Sequence, residues 1–489
     1  MVRQIEIPTS KAPHATVRSP DGAWVAMAIL LPGIATLVAR LRMTDLAYHV
    51  RIGEDILTTG GIPRVDTYSF TTQGAAWLDQ QWGAQIILAL IHRAGGWEGM
   101  TVARTLLTMA TFLFVFLACR ARGRSIRTSA LLTLGGFVIS MVALPMRPQL
   151  LALPLLALAA WIVASREAHP RRMWWLPVIA AVLANVHGSF VVIPLLAGAS
   201  WLGDVTRKRA TARTTLAITG VTLAATLFNP FGFGVWTYAY DLATNPVIRN
   251  SITEWQPLDV SDYPGILVFV SFAAFVAYLA RRPRSLPVDD LLILGVLLFM
   301  ALSAQRSIAL WGVIAPTVIA ASVGAASPDR REVRRGSAVP AILVAASLVV
   351  LLIALMPWWR TDRPASLFQD VPLRATSAVE EQLPAGTRLL VHQPWGSWLL
   401  YAVPDIPLFL DSRIEIVPQD VWDDYDAVAF AGAEWREALE RREVEAILAK
   451  KESWPLIPFL RDDEAWRVTY EDDEAVLFRR VTPAVVPVP

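Results

Sequence analysis

Long apolar runs separated by short, arginine-rich breaks occupy most of the first 356 residues, and the lengths of those runs decide what the chain is. Stretches near the length that crosses a bilayer, about 15–21 mostly apolar residues, lie at 23–41, 98–118, 129–145, 149–165, 173–186, 188–203, 214–228, 264–280, 287–304, 307–324 and 338–356. They predict a polytopic α-helical membrane protein with about eleven transmembrane helices. The first run, from Ala23 to Leu41, is longer than a signal-peptide core and has no small-residue cleavage site after it, so it reads as an uncleaved span.

Arginine-rich breaks at 120–127, 166–172, 207–213, 281–284 and 330–335 set the orientation. All of them fall on the cytoplasmic side, as positive breaks should, only if the segment QWGAQIILALIHR (81–93) does not cross. That segment is short of a full span and is predicted to be a helix in the outer interface. The N-terminus is then cytoplasmic. The first external loop 42–97, the turns near 147, 187 and 306, the loop 229–263 and everything after 357 are extracytoplasmic.

From 357 to 489 the pattern changes. Apolar runs shorten and acids appear, as in VWDDYDAV and RDDEAW, which predicts a separate soluble α/β domain. Its expected strands are RLLVHQ (388–393), PLFLDSR (407–413), EAILAK (445–450) and the hairpin 466–480. A capping box from Ser377 to Glu380 and the charged run 433–445 mark helices, PWWR (357–360) reads as an interfacial anchor, and VTPAVVPVP as an extended tail.

Composition agrees: 54% hydrophobic and 18% charged residues, with mean hydropathy +0.44, exclude an ordinary soluble enzyme. The net charge of +2 arises from arginines that set topology and gives no reason to expect nucleic acid as a partner. The single cysteine, Cys119, excludes an intrachain disulfide or a cysteine-based metal cluster.

Under this topology the remaining polar residues collect on the outer side: Asp45, His49, Arg51, Glu54 and Asp66 in the first loop, then Arg147, Asn185, His187, Asn229, Glu254 and Arg306. A charge at the centre of a span costs about 2.5–3.5 kcal/mol on insertion scales, so charges in or beside spans mark sites more often than surface charges do. Each has an ordinary alternative. Asp45 and His49, four apart, can share a solvated helix face; Arg147 and Arg306 can snorkel to headgroups; His187 can be structural. Asn229-Pro230 can be a turn, Asp66 a turn acid, Asp79 a helix cap, and Asp411 with Arg413 a structural ion pair.

The segments DLAYHVRIGEDILTTGGIPRVDTYSF (45–70), WLDQQW (77–82), RPQL (147–150), ANVHG (184–188), NPFG (229–232), EWQP (254–257), WGSW (395–398) and FLDSR (409–413), in the order of span, acidic loop, interfacial helix, spans and outer domain, resemble the GT-C superfamily of integral-membrane glycosyltransferases. Dolichyl-phosphate-mannose protein mannosyltransferases and aminoarabinose transferases belong to it, and the chain is most similar to an uncharacterised bacterial group within it. The resemblance implies a bacterial inner-membrane enzyme that moves a sugar from a polyprenyl-phosphate donor to a lipid, glycan or protein acceptor of the cell envelope. By its motif Asp45 matches the family's base, although Leu46 stands where a second acid is usual. His49 or Asp66 would orient the base or the acceptor. Arg147, His187 and Arg306 would hold the lipid phosphate, with Arg51, Glu54, Asn229 and Glu254 as further substrate contacts. Asp45, Asp66, Glu254 and His49 form a donor set open to a divalent cation, though no spacing demands a metal. The absence of a Walker-type glycine loop fits a lipid-linked donor. A secondary transporter or lipid flippase and a non-catalytic envelope scaffold are the competing readings; transporters place polar residues near the bilayer midplane in repeated halves.

Overall fold

The computed structural model describes residues 21–281, 286–323, a few positions between 342 and 349, and 367–481. The N-terminal residues, most of the RRPR cluster, the RREVRR cluster, most of the expected last span, PWWR and the tail beyond Val481 lie outside the described residues.

The first helix, α1 (Asp21–Val38), stops at an arginine from another helix. Arg104 is 2% exposed and donates to the carbonyls of Ala39 at 2.5 Å and Arg40 at 2.9 Å, satisfying groups left orphaned just past a helix C-terminus. The chain then turns through the short strand β1 (Leu41–Arg42) into α2 (Met43–Thr59). Leu46, Ala47, Val50, Gly53 and Ile56 bury one face of α2, a helical repeat of apolar positions. A Cβ on Gly53 would lie 2.1 Å from the Gln85 carbonyl oxygen, so a bare backbone here lets α2 lie close against α3. Gly60, at φ 71°, ends α2 in the left-handed conformation.

Helix α3 runs from Trp82 to Ala121 but is broken at Gly96 (φ 58°, ψ −153°), a conformation open to glycine and costly for other residues. The break separates the expected interfacial helix from the span after it. The bundle continues with α4 (Ile126–Ser140), α5 (Pro148–Ala164), α6 (Leu176–Ala184), α7 (Val192–Thr206) and α8 (Ala212–Ala225). Two short outer helices, α9 (Gly234–Thr244) and α10 (Pro246–Ser251), precede α11 (Tyr263–Arg281), α12 (Val288–Ser303) and α13 (Ile308–Ser322). Among the described residues, 5 helical stretches are long and apolar enough to cross a membrane: Asp21–Val38, Trp82–Ala121, Ile126–Ala143, Gly188–Thr206 and Tyr263–Arg281. The other described span positions coincide with shorter helices. This is a membrane protein by its helices.

At one end of the bundle, arginines of the breaks meet acids. Asp289, at the start of α12, takes Arg166 at 2.6 Å and Arg207 at 2.9 Å, while Asp290 takes Arg122 at 2.9 Å. Both aspartates are at most 2% exposed. Arg147 and Arg166 flank opposite ends of α5, whose 17 residues rise about 25 Å, so the polar residues near Arg147 occupy the other end.

The C-terminal region holds a four-stranded sheet in the order β3-β4-β6-β5, formed by Leu389–Val391, Ala446–Lys450, Ala475–Arg480 and Trp466–Glu471 respectively. β3 and β4 are parallel and the other pairs antiparallel. Two expectations need correction. The segment 407–413 forms no strand: Leu408 makes isolated bridges to Ser69 and Leu389, after which the Asp411 carboxylate accepts the Arg413 amide at 2.7 Å and turns the backbone aside. The helix Leu373–Gln382 begins before Ser377, with Pro372 preceding it, so the Ser377–Glu380 box lies inside a helix. Several contacts dock the region: β1 pairs in parallel with β2 (Phe368–Gln369), an aromatic cluster joins Trp97 to Phe368, Trp398 and Tyr401, and Arg413 reaches Asp66 and Ser69 of the first loop.

Candidate functional site

Distant parts of the chain enclose a polar chamber of about 380 Å³ at the end of the bundle opposite the buried aspartates. The first turns of α2 supply Asp45, Tyr48 and His49; the turn before α5 supplies Arg147 and Gln149; the turn after α6 supplies His187. Glu254 and Trp255 come from the loop after α10, Arg306 from the turn after α12, and Gln393, Ser412 and Glu415 from the C-terminal region. The Ser412 hydroxyl donates to the Thr44 carbonyl and Ser397 accepts the Tyr48 amide at 3.0 Å, which presses that region onto the start of α2.

Arg147 organises the acids. One of its terminal nitrogens lies 3.3 Å from Asp45 and 2.8 Å from Glu254, and the other donates to Gln149 at 3.1 Å. Gln149 in turn donates to the Arg306 carbonyl at 2.9 Å. Burial raises the Asp45 carboxyl above the usual aspartate range; Arg147 offsets this only in part, and the Glu254 carboxylate adds to the rise. For Glu254 burial also acts upward, but Arg147 outweighs it and the net shift is downward. The two acids therefore differ, Asp45 being the more basic, as a proton acceptor should be.

The histidines are neutral. Burial, with Arg147 adding to it, holds His49 at about 3, and burial with Arg306 holds His187 well below the ordinary value. The hydrogen bonds assign the tautomer of His187: its Nδ1 accepts the Ser189 amide at 3.1 Å and faces the Ser189 hydroxyl at 2.9 Å, which places the proton on Nε2. That nitrogen stands 3.4 Å from an Arg306 terminal nitrogen, so two donors lie side by side with no acceptor between them. Arg306 stacks on Trp255 at 4.3 Å and has no carboxylate within ion-pairing distance among the described residues. A guanidinium and an imidazole N–H in this arrangement suit an anion.

A second, apolar chamber of about 430 Å³ adjoins the first and shares Gln149, His187, Tyr238, Trp255 and Arg306 with it. Leu153, Leu156, Trp236, Met300 and Leu310 line its interior. Tyr240 and Phe299, 69% and 70% exposed, also line it and mark its open side. The donor pair thus stands on the wall between a polar space and an apolar one.

Of the residues singled out in the sequence, Asp45, His49, Arg147, His187, Glu254 and Arg306 share the polar chamber. Asp66, expected beside the base, does not: it is 0% exposed and paired with Arg413 at 2.6 Å. Arg51 pairs with Asp55, and Glu54 with Arg93, both away from the chamber because they occupy another face of α2. Asn229 closes a turn, accepting the Phe231 amide at 2.8 Å and donating to Thr226 and Gly232. Asn185 ties Trp82 to the Phe228 carbonyl. Among the described residues no group of three or more His, Cys, Asp or Glu side chains is assembled to hold a metal, so the set Asp45, Asp66, Glu254 and His49 is not brought together. Sequence reasoning missed Glu415, Gln393 and Tyr238; the nearness of Glu415 to the FLDSR motif was the available signal.

No family model and no curated protein matches the chain. Among solved structures it is similar to the Archaeoglobus fulgidus oligosaccharyltransferase in the apo form, with 12% identity and a TM-score of 0.54 over 88% of this chain and 68% of that one. It is also similar to the same protein tethered by a disulfide to an acceptor peptide containing the NVT sequon, with 11% identity and a TM-score of 0.50 over 88% and 69%. The likeness is one of fold alone.

Proposed function

We propose that the chain is a membrane glycosyltransferase that moves a sugar from a polyprenyl-phosphate donor to a lipid, glycan or protein acceptor of the cell envelope, with Asp45 as general base. The observation that carries this reading is the Arg306–His187 donor pair on the wall between the polar and apolar chambers. A molecule with a phosphate joining an isoprenoid chain to a sugar has the same sequence of chemistries: chain in the apolar chamber, phosphate at the donors, sugar in the polar chamber. In the transfer, the Asp45 carboxylate takes the acceptor's proton as its heteroatom attacks the anomeric carbon. The bond from that carbon to the phosphate oxygen breaks, and the charge gathered on the phosphate is met by Arg306 and His187. Glu254 shares Arg147 with Asp45 and adds to the rise of the Asp45 carboxyl that burial causes.

The reading includes the topology expected from the sequence: about eleven spans, a cytoplasmic N-terminus, and the polar chamber and C-terminal domain on the outer face of a bacterial inner membrane. The polar residues occupy an end of the bundle, which distinguishes this arrangement from the midplane sites of secondary transporters. The test is transfer from polyprenyl-phosphate sugars in proteoliposomes. Asp45→Asn should lower the rate by about 10²–10⁴-fold, the range of a lost general base, with an unchanged unfolding midpoint. Full transfer by that variant would overturn the assignment.

A further inference from the structure

Glu415 is the one chamber-lining carboxylate for which no arginine or lysine lies within ion-pairing distance among the described residues, whereas Asp45 and Glu254 share Arg147. Its position is rigidly prepared. Arg413, 0% exposed, donates to both oxygens of Asp411 at 3.0 and 3.1 Å, to Asp66 at 2.6 Å and to Ser69 at 3.1 Å. Its guanidinium lies 4.9 Å from the Tyr68 ring and 5.0 Å from the Trp77 ring. Together with the bond from Ser412 to Thr44, these contacts fix the short turn Ile414–Ile416 over the chamber that Asp45 also lines. The Trp77 indole N–H then donates to Glu415 Oε1 at 3.3 Å, which orients the carboxyl and occupies one of its oxygens. Gln393 and Tyr238 line the same space.

We infer that Glu415 is a specificity-determining residue that binds hydroxyl groups of the donor sugar. This rests on the proposed polyprenyl-phosphate donor. With the phosphate at Arg306 and His187, the sugar attached to it must lie in the polar chamber, because the adjoining apolar space suits the chain. A carboxyl without a cationic partner is an acceptor awaiting donors, and a sugar presents hydroxyl donors at fixed angles. A site that hydrogen-bonds a substrate hydroxyl strongly rejects analogues lacking it, so Glu415 reads which sugar the lipid carries and adds nothing to the recognition of phosphate or chain. Burial raises its carboxyl above the usual glutamate range.

Native mass spectrometry of the full chain in detergent, titrated with bare undecaprenyl phosphate and with undecaprenyl phosphate bearing glucose, mannose, N-acetylglucosamine or aminoarabinose, tests this. The wild type should bind at least one sugar-bearing lipid more tightly than the bare lipid. Glu415→Gln should weaken that complex about tenfold, the effect of losing a hydrogen bond to a charged group, and leave bare-lipid affinity within about twofold. Glu415→Asp, which keeps the charge and shortens the reach, should lose part of the gain, and the unfolding midpoints of both variants check their folding. A Glu415→Gln variant that keeps the whole sugar-dependent gain, or a wild type with no gain from any of these sugars, overturns the inference while leaving the donor-lipid reading in place. Failure of the wild type to bind any of these lipids overturns that reading, and this inference with it.

Discussion

Asp79 lies just before α3, 3% exposed, and its surroundings show what a lone acid must do in such a place. Its Oδ1 accepts the Gln85 amide at 2.9 Å, but Asp79 Oδ2, Gln80 Oε1 and Gln85 Oε1 are buried acceptors without a donor among the described residues. A protonated carboxyl supplies one. Burial, aided by the Glu415 carboxylate, pushes Asp79 up to about 8, so the folded chain keeps a proton that the unfolded chain releases near the ordinary aspartate value of 3.8. The resulting stabilisation is complete below the unfolded value and is lost as pH rises through about 8. Asp79→Asn makes the missing donor permanent. Its unfolding midpoint should match the wild type in acid, below the unfolded value, and exceed it progressively as pH rises through about 8, by the equivalent of about 1–3 kcal/mol for a buried polar group. His49 slopes the other way: its depressed value, about 3, withdraws stability as pH falls below the ordinary histidine range. Asp45 and His49 were legible in the sequence because they stand four apart on an amphipathic helix beside a span. The raised value of Asp79 was not, since it depends on burial and then on Glu415, a residue distant in the chain.

Among the elements, the segment that carries Asp411 to Glu415 departs furthest from its sequence pattern. Alternating apolar residues in PLFLDSR resemble a strand, yet Pro407 has no amide to donate and Asp411 spends its carboxylate on the amide and guanidinium of Arg413. The remaining strands were readable because residues 389–391, 446–450, 466–471 and 475–480 are short apolar-rich runs that find their partners in one sheet. The break in α3 was foreshadowed by Gly95-Gly96 and by an apolar run too short to span. Arg413 pairs with Asp66 across 347 residues, and no spacing rule reaches that far. Breaking a buried ion pair from one side costs about 3–5 kcal/mol because a charge is left uncompensated. Arg413→Ala strands both Asp66 and Asp411, and should lower the unfolding midpoint, followed by tryptophan fluorescence, accordingly. Asp55→Asn, which removes the charge from a partly exposed pair with Arg51 and keeps an oxygen for the Tyr68 hydroxyl, should shift it by less than about 1 kcal/mol.

Seen as a whole, the molecule gathers its charge at the two ends of its helices and leaves apolar surface between them. Hydropathy made the helical bundle legible, and the breaks between its apolar runs the polar residues at its ends. The two chambers were not, because cavities are what packing leaves over and no residue type encodes them. The apolar chamber offers a direct test of its proposed occupant: Met300→Trp adds an indole to a wall of a space of about 430 Å³. Overfilling of this kind costs about 1–3 kcal/mol, so undecaprenyl phosphate should bind roughly 5–100-fold more weakly in the same titration, while a short-chain isoprenyl phosphate should be nearly unaffected.

The bond from Ser412 to Thr44 spans 368 residues, and it has a consequence for biogenesis. Thr44 leaves the ribosome well before Ser412, so a nascent chain carries Asp45 for a long stretch of translation without the segment that later covers it. The polar chamber is therefore complete only once the segment around Ser412 has been made and has docked on the start of α2.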